Sequence, residues 1–334
     1  MKRNNLTPLT AAILCGGLGT RLKSVAGDLP KVLMAVAGKP FAHYLLQQLS
    51  EAGIAKSVLC TGFGAEKVSS LLGASFQNSR GRAVRAPMRL EYSRETGPLG
   101  TGGALRLALP LLDSEWVLVL NGDSYAEVDL GNFGLWHQRN RAMASIVVCP
   151  EPQSFVAKGT ANTKVVSPLP RLLEAEGLFH TSPGQRPGSP RQKTISSTES
   201  AIHRRATRVK SPVSQYGKIL TNEKGEVLSF LEKPQARTAD SLSTRKPLGE
   251  SKTRIGTRAR TKLRLVNAGI YLLSKTIIEQ IPADRPVSLE REVLPGLVGK
   301  RFFCYTKCRC FLDIGTPESY ASAEQFFAQK GRAS

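Results

Sequence analysis

Five short apolar runs set the first constraint: AAILC (11–15), SVLC (57–60), LEY (90–92), WVLVL (116–120) and SIVVC (145–149). They are shorter than ordinary helices and, as a set, too continuously apolar for strands with one wet face. They read as strands buried on both faces of a sheet. Between the earlier runs lie segments with apolar residues at helical spacing: 40–52, which ends at Gly53, then 65–72 and 102–112. Strand and helix alternating with gaps of this size require right-handed crossovers, and hence a mostly parallel sheet. Such sheets bind ligands beyond the carboxyl ends of their strands. The segments after Cys15 and after Leu120 occupy that position.

After Cys15 come Gly16, Gly17 and Gly19, then Arg21, and ten residues later Pro30-Lys31. The spacing is not a dinucleotide fingerprint, because Leu22 stands where GxGxxG needs its third glycine. It is not a Walker A loop either, since GxxxxGK is absent. What remains is GGxGxR behind a strand. Glycines let the backbone come close to a ligand, so successive N–H groups can face an anion. Arg21 offers a planar fork for phosphate and Lys31 a point charge. A triphosphate suits that arrangement; a tight turn with two solvated cations is the alternative. A second glycine-rich loop, LGTGGA (99–104), enters a helix. LNGDSYAEVDL (120–130) puts Asp123 at a strand end with Asp129 six positions on, and Asp313 follows an apolar pair in FLDIGTPESY (311–320). Two such carboxylates meeting at phosphates would hold Mg²⁺, which prefers oxygen ligands; either one alone reads as a cap. FLEKP (230–234) pairs an acid and a base before a proline.

The net charge of +21 on 334 residues invites a polyanion reading, so its location matters. Residues 153–213 hold ten Lys and Arg against three Glu, and 235–262 hold eight against two acids. These two stretches carry 13 of the 21 charges and are rich in Ser, Thr, Pro and Arg. Such composition buries too little apolar surface to offset chain entropy, so both read as basic, low-complexity, disordered insertions within one domain spanning 1–334. No run approaches the roughly 20 apolar residues that cross a bilayer, and nothing resembles a signal peptide, which points to the cytoplasm. Six cysteines in a chain of this length are no disulfide framework. Cys304, Cys308 and Cys310 read as structural strand cysteines, with a metal or redox role as the minor alternative.

Together the motifs resemble the sugar-phosphate nucleotidyltransferase family. In order, these are AAILCGGLGTRL, LPKVL, GKPF, GPLGTGGA, LNGD, YGKI…GEVLSFLEKP, VNAGIYLL, SLEREVLP and FLDIGTPESYASAEQF. They cover about 1–150, 214–234 and 263–328. The pattern is most similar to D-glycero-D-manno-heptose 1-phosphate guanylyltransferases, and mannose-1-phosphate guanylyltransferases share much of it. The resemblance implies a Rossmann-like three-layer α/β/α sandwich with a mostly parallel mixed sheet. It implies the reaction of an NTP with a sugar 1-phosphate to give NDP-sugar and pyrophosphate, for cell-surface polysaccharide precursors. It also implies roles. Arg21, Lys31 and Lys233 act on the phosphates. Leu14, Gly16, Gly17, Gly19, Thr20, Gly100, Thr101 and Asn121 bind the nucleotide, and Gly217, Glu232 and Asn267 the sugar. Asp123 and Asp313 hold Mg²⁺.

Glu95 precedes the second glycine loop. A carboxylate only accepts hydrogen bonds, and guanine offers adjacent N1–H and N2–H₂ donors, so Glu95 suits GTP; a solvated loop glutamate is the alternative. Two departures stand out: Gln215 precedes the Tyr-Gly pair where relatives carry Arg, and the usual PKPM reads PKVL. The insertions fall before SQYG and between FLEKP and VNAG, both bordering the sugar pocket. Two other readings stay open: a non-catalytic homologue that senses nucleotide sugars, and a polyanion binder acting through the insertions. The latter has no aromatics interleaved for base stacking. The expected partners are the two substrates, with a homo-oligomer left open and no specific nucleic acid.

Overall fold

The computed structural model describes residues 9–17, 22, 27–78, 86–150, 218–231 and 265–332. The basic stretches 153–213 and 235–262 lie outside the described residues. Four of the apolar runs become parallel neighbours. These are β1 (Thr10–Leu14), β4 (Lys56–Thr61), β6 (Met88–Arg94) and β7 (Trp116–Asn121). β4 and β7 flank β1, in register from Thr10↔Lys56 and Thr10↔Val117, and β6 pairs with β4. The fifth run is β9 (Ala144–Pro150).

Antiparallel pairing enters through β12 (Leu265–Ser274), a ten-residue strand that joins β7 on one side and β9 on the other. β10 (Lys218–Thr221) and β11 (Val227–Leu231) form an edge hairpin beside the start of β12, and β13 (Phe302–Tyr305) extends β9 in parallel. With β5 (Ser75–Phe76) at the far edge, ten strands make one mixed sheet. β2 (Ala35–Val36) and β3 (Lys39–Pro40) make a small separate ribbon.

Alternate residues of the central strands enter two cores, as the period of two requires. Ala11, Ile13, Leu59, Leu118 and Leu120 face one; Ala12, Val58, Cys60, Val117 and Val119 face the other. Helix α1 (Phe41–Glu51) covers the first face through Phe41, Leu45, Leu46 and Leu49. It is joined there by α2 (Ala65–Leu72), α4 (Leu130–Arg139) and α6 (Pro317–Arg332), through Val68, Phe133 and Phe327. The second face is covered by α3 (Gly100–Ala108) and α5 (Lys275–Glu279). Both faces are therefore dry, which explains why the strands read as unbroken apolar runs. The result is the expected three-layer α/β/α sandwich.

One sequence expectation changes here. Cys304 is a buried strand residue, but Cys308 and Cys310 lie in the loop after β13. Cys308 is bonded to Cys149 of β9, with their Cα atoms 5.4 Å apart. A bridge across 159 residues leaves no local spacing signal by which it could be read. Asp129 takes the cap reading of a lone aspartate in a turn: it is the N-cap of α4, its Oδ1 accepting from Asn132 N at 2.9 Å. Among the described residues, no helix is long and apolar enough to cross a membrane.

Candidate active site

The carboxyl ends of β1 and β7 are drawn together by one close contact. Gly122 N donates to Leu14 O at 2.9 Å. A Cβ on residue 122 would lie 2.6 Å from that oxygen, so only glycine lets the NGD turn cross the end of β1. Asp123 therefore stands beside Gly16 and Gly17. Lys31 approaches from the one-turn helix Lys31–Leu33, which starts behind the extended Pro30. Its Nζ donates to Asp123 Oδ2 at 2.9 Å; the lysine side chain is 15% exposed and the aspartate 41%.

Asp313 arrives by strand pairing. β14 (Phe311–Asp313) runs antiparallel to β8 (Ser124–Ala126), with Asp313 opposite Ser124. Ile314 N donates to Asp123 O at 2.9 Å, so residues 190 positions apart are locked side by side. Asp313 Oδ1 accepts from Gly315 N and Ser319 Oγ, both at 2.8 Å, which fixes its orientation. The disulfide tethers β9 to the loop that leads into β14.

Lys31, Gly122 and Asp123 open on a cavity of about 500 Å³. Gly16, Gly17, Lys31, Asn121 and Asp123 line one side, and Glu95, Gly100 and Thr101 another. Leu14 lines it too, at the end of β1. Glu95 reaches in at the end of β6, held by Glu95 N donating to Thr61 O at 2.9 Å. Its Oε1 packs where a Cβ on Gly16 or Gly62 would be, at 2.5 and 2.4 Å from those points. The glycine loop therefore serves a second purpose here: it makes room for a carboxylate. Burial pushes the Glu95 carboxyl above its ordinary range, and the Leu99 N–H, donating to Oε2 at 3.2 Å, works against that rise.

Asn267 sits on β12 where the register with β9 shifts. Its Oδ1 accepts from Gly269 N at 2.9 Å and its Nδ2 donates to Tyr271 Oη at 2.7 Å. Both ends of the amide thus shape the strand kink. Gly19, Thr20, Arg21, Gly217, Glu232 and Lys233 lie outside the described residues.

The donor set suits Mg²⁺. Asp123 lines the cavity beside Lys31, the β14–β8 pairing brings Asp313 to the adjacent backbone, and Mg²⁺ is commonly held by one or two carboxylates with substrate phosphates completing its shell. No group of three or more His, Cys, Asp or Glu gathers among the described residues, so an all-protein cage is not what this site offers. In addition, Asn121 Oδ1 and Ser124 Oγ, on either side of Asp123 in sequence, are buried without a hydrogen-bond partner among the described residues. Buried polar atoms of that kind usually await a ligand or water.

Sequence reasoning gave no role to Gly62, Gly122 or Val287. Gly122 was inside a quoted motif, but its role depends on strands β1 and β7 being neighbours. Val287 O accepts from the N–H groups of Gly102 and Gly103 at 2.9 and 3.3 Å, a contact that no local pattern announces.

Comparison with known proteins agrees with this geometry. The nucleotidyl transferase family matches over residues 10–155 and 193–330. The mannose-1-phosphate guanylyltransferase of Mycobacterium tuberculosis is 25% identical over 93% of this chain and 62% of its own. The D-glycero-alpha-D-manno-heptose 1-phosphate guanylyltransferase of Aneurinibacillus thermoaerophilus is 24% identical over 95% of this chain and 97% of its own. Among solved structures, HddC from Yersinia pseudotuberculosis superposes with a TM-score of 0.58 at 25% identity, covering 95% of this chain and 99% of that one. HddC has also been solved in complex with GMP-PN.

Proposed function

Because this chain belongs to the nucleotidyl transferase family, we propose that it condenses GTP with a sugar 1-phosphate, a heptose or a mannose-like hexose, releasing pyrophosphate. The observation that carries the reading is Lys31 paired with Asp123 on a cavity lined by Gly16 and Gly17, with Asp313 brought to the adjacent backbone by the β14–β8 pairing. Relatives named as guanylyltransferases, and a neighbour solved with GMP-PN, favour guanine.

The chemistry needs positioning more than covalent help. An oxygen of the sugar phosphate attacks the α-phosphorus in line. The new P–O bond forms as the bond to the β-phosphate oxygen breaks, and pyrophosphate leaves with the electron pair. A phosphate monoester is already anionic near neutral pH, so no general base is required. The difficulty is that both reactants are anions. Lys31, aimed at the same place as Asp123, offsets that repulsion at the phosphates. Arg21 and Lys233 are assigned the same task from the resemblance, on the triphosphate and the sugar phosphate respectively. Asp123 and Asp313 would hold Mg²⁺, which when bound neutralises charge on the phosphate oxygens. The Gly16–Gly17 backbone binds the nucleotide closely, and Glu95 accepts from the N1–H and N2–H₂ edge of guanine.

NTP supply argues for the cytoplasm, whereas Cys149–Cys308 is a bond that such a compartment keeps reduced. The product is a precursor of the kind that polysaccharide-building transferases consume.

Pyrophosphate release, measured with each of the four NTPs against a panel of hexose and heptose 1-phosphates, tests the proposal. Turnover is expected with GTP and one of the sugars, and to depend on Mg²⁺. Nucleotide binding without pyrophosphate release on any sugar would leave a sensor rather than an enzyme.

A further inference from the structure

After Val287 the chain enters a single π-turn, Leu289–Val293. Such turns are rare and concentrate at functional sites. Glu290 on this turn is half-buried, and no ion pair reaches it among the described residues. Its Oε2 accepts from Thr101 Oγ1 at 2.7 Å and Ser288 Oγ at 3.3 Å. Thr101 Oγ1 in turn accepts from Leu289 N at 2.8 Å. Among the described residues, Glu290 Oε1 has only a long contact, 3.4 Å, from the hydroxyl of the fully buried Tyr271. Tyr271 Oη accepts from Asn267 Nδ2 at 2.7 Å.

The clasp to Thr101 does not require a charge, since a neutral amide oxygen would also accept that hydroxyl, though more weakly. Partial burial of a carboxylate with no cation beside it carries a desolvation cost. A carboxylate accepts roughly four hydrogen bonds and donates none, so the spare capacity lies on Oε1. That oxygen meets the Tyr271 hydroxyl, which Asn267 also contacts, whereas it is Oε2 that Thr101 clasps. Its partner must be a donor, and hydroxyls are the donors a sugar supplies.

We infer that Glu290 accepts a hydrogen bond from one hydroxyl of the sugar 1-phosphate and so helps to select the sugar. This rests on the reading that the cavity takes an NTP with the sugar beyond it. The ribose of the NTP offers the same chemistry, so the test includes it.

The measurement is kcat/KM for the accepted sugar 1-phosphate, for its mono-deoxy analogues, and for 2′- and 3′-deoxy GTP. It is made on the wild-type chain, Glu290→Ala, Glu290→Gln and Thr101→Val. One deoxy sugar is expected to lose about 10- to 100-fold in the wild type, the scale of a hydrogen bond to a charged group. In Glu290→Ala that ratio collapses to within about threefold, while Thr101→Val, which removes the clasp and keeps the carboxylate, preserves it. Retained GTP binding shows that Glu290→Ala is folded; if it is not, Glu290→Gln decides, with a ratio shrunk several-fold as the charge-assisted contact becomes neutral. A ratio that survives in both Glu290 variants overturns the inference. So does a collapse confined to the deoxy-GTP arms, or one reproduced equally by Thr101→Val. Those failures leave the enzyme active, whereas a wild-type chain that turns over no sugar overturns the functional reading as well.

Discussion

Burial holds the Glu95 carboxyl above its usual range, so in the free protein its ionised form costs stability at neutral pH, a cost that fades as pH falls. Guanine needs that ionised form, because a protonated carboxyl has an O–H where an acceptor is required. The preference for GTP should therefore be present above the raised carboxyl range and decline as pH falls through it. Glu95→Gln should lower kcat/KM for GTP by about tenfold or more at neutral pH and remove the pH dependence of the preference. Competition of GTP with the other NTPs, from neutral pH down into the carboxylate range, makes the measurement. An unchanged preference in the variant would show Glu95 to be a bystander. At this scale the sequence was informative wherever chemistry rests on residue type. Lys31 and Asp123 could be nominated from a glycine loop and a strand end. The packing of Glu95 over Gly16 and Gly62 could not, because it depends on β1, β4 and β6 lying side by side.

Among elements, α4 shows how a buried polar group shapes stability. His137, in its last turn, is 1% exposed, and its Nδ1 shares a hydrogen bond with Ser145 Oγ of β9 at 2.8 Å. Its ring also meets Trp116 of β7 edge-on, with centroids 4.5 Å apart. Burial lowers its pKa from 6.5 to about 4. A histidine buried neutral contributes stability that is complete above its unfolded pKa and is lost as pH falls toward the folded value. Between these limits the loss amounts to roughly 3 kcal/mol. Urea unfolding from pH 7 to 4 should show this decline in the wild-type chain and a flatter profile in His137→Gln; identical profiles would remove His137 as the cause. Periodicity announced α1, α2, α3 and the five buried strands, but not α4, α5 or α6. β12, antiparallel between β7 and β9, was legible only through its resemblance to a family motif. A strand carrying Asn267, Ala268 and Gly269 at a register shift has no clean alternation to read.

For the whole molecule, the account requires residues from opposite ends of the chain to act on one pair of anions. The strongly basic composition lies mainly in 153–213 and 235–262, outside the described residues, and is not what builds the cavity. What builds it is topology: β1, β7 and β8 carry the glycines and Asp123, and β14 delivers Asp313 by pairing with β8. The sequence could nominate both carboxylates, but not show that their backbones are neighbours, since strand pairing between positions 124 and 313 is a property of the fold. Binding of Mn²⁺ in the presence of a non-hydrolysable GTP analogue, followed by its electron paramagnetic resonance signal, tests this most directly. If the two acids hold one ion together with the phosphates, Asp123→Ala and Asp313→Ala should each abolish tight binding, and the double variant should lose little more than either alone. Full Mn²⁺ affinity in either single variant, or two independent losses that add in the double, would contradict a shared site.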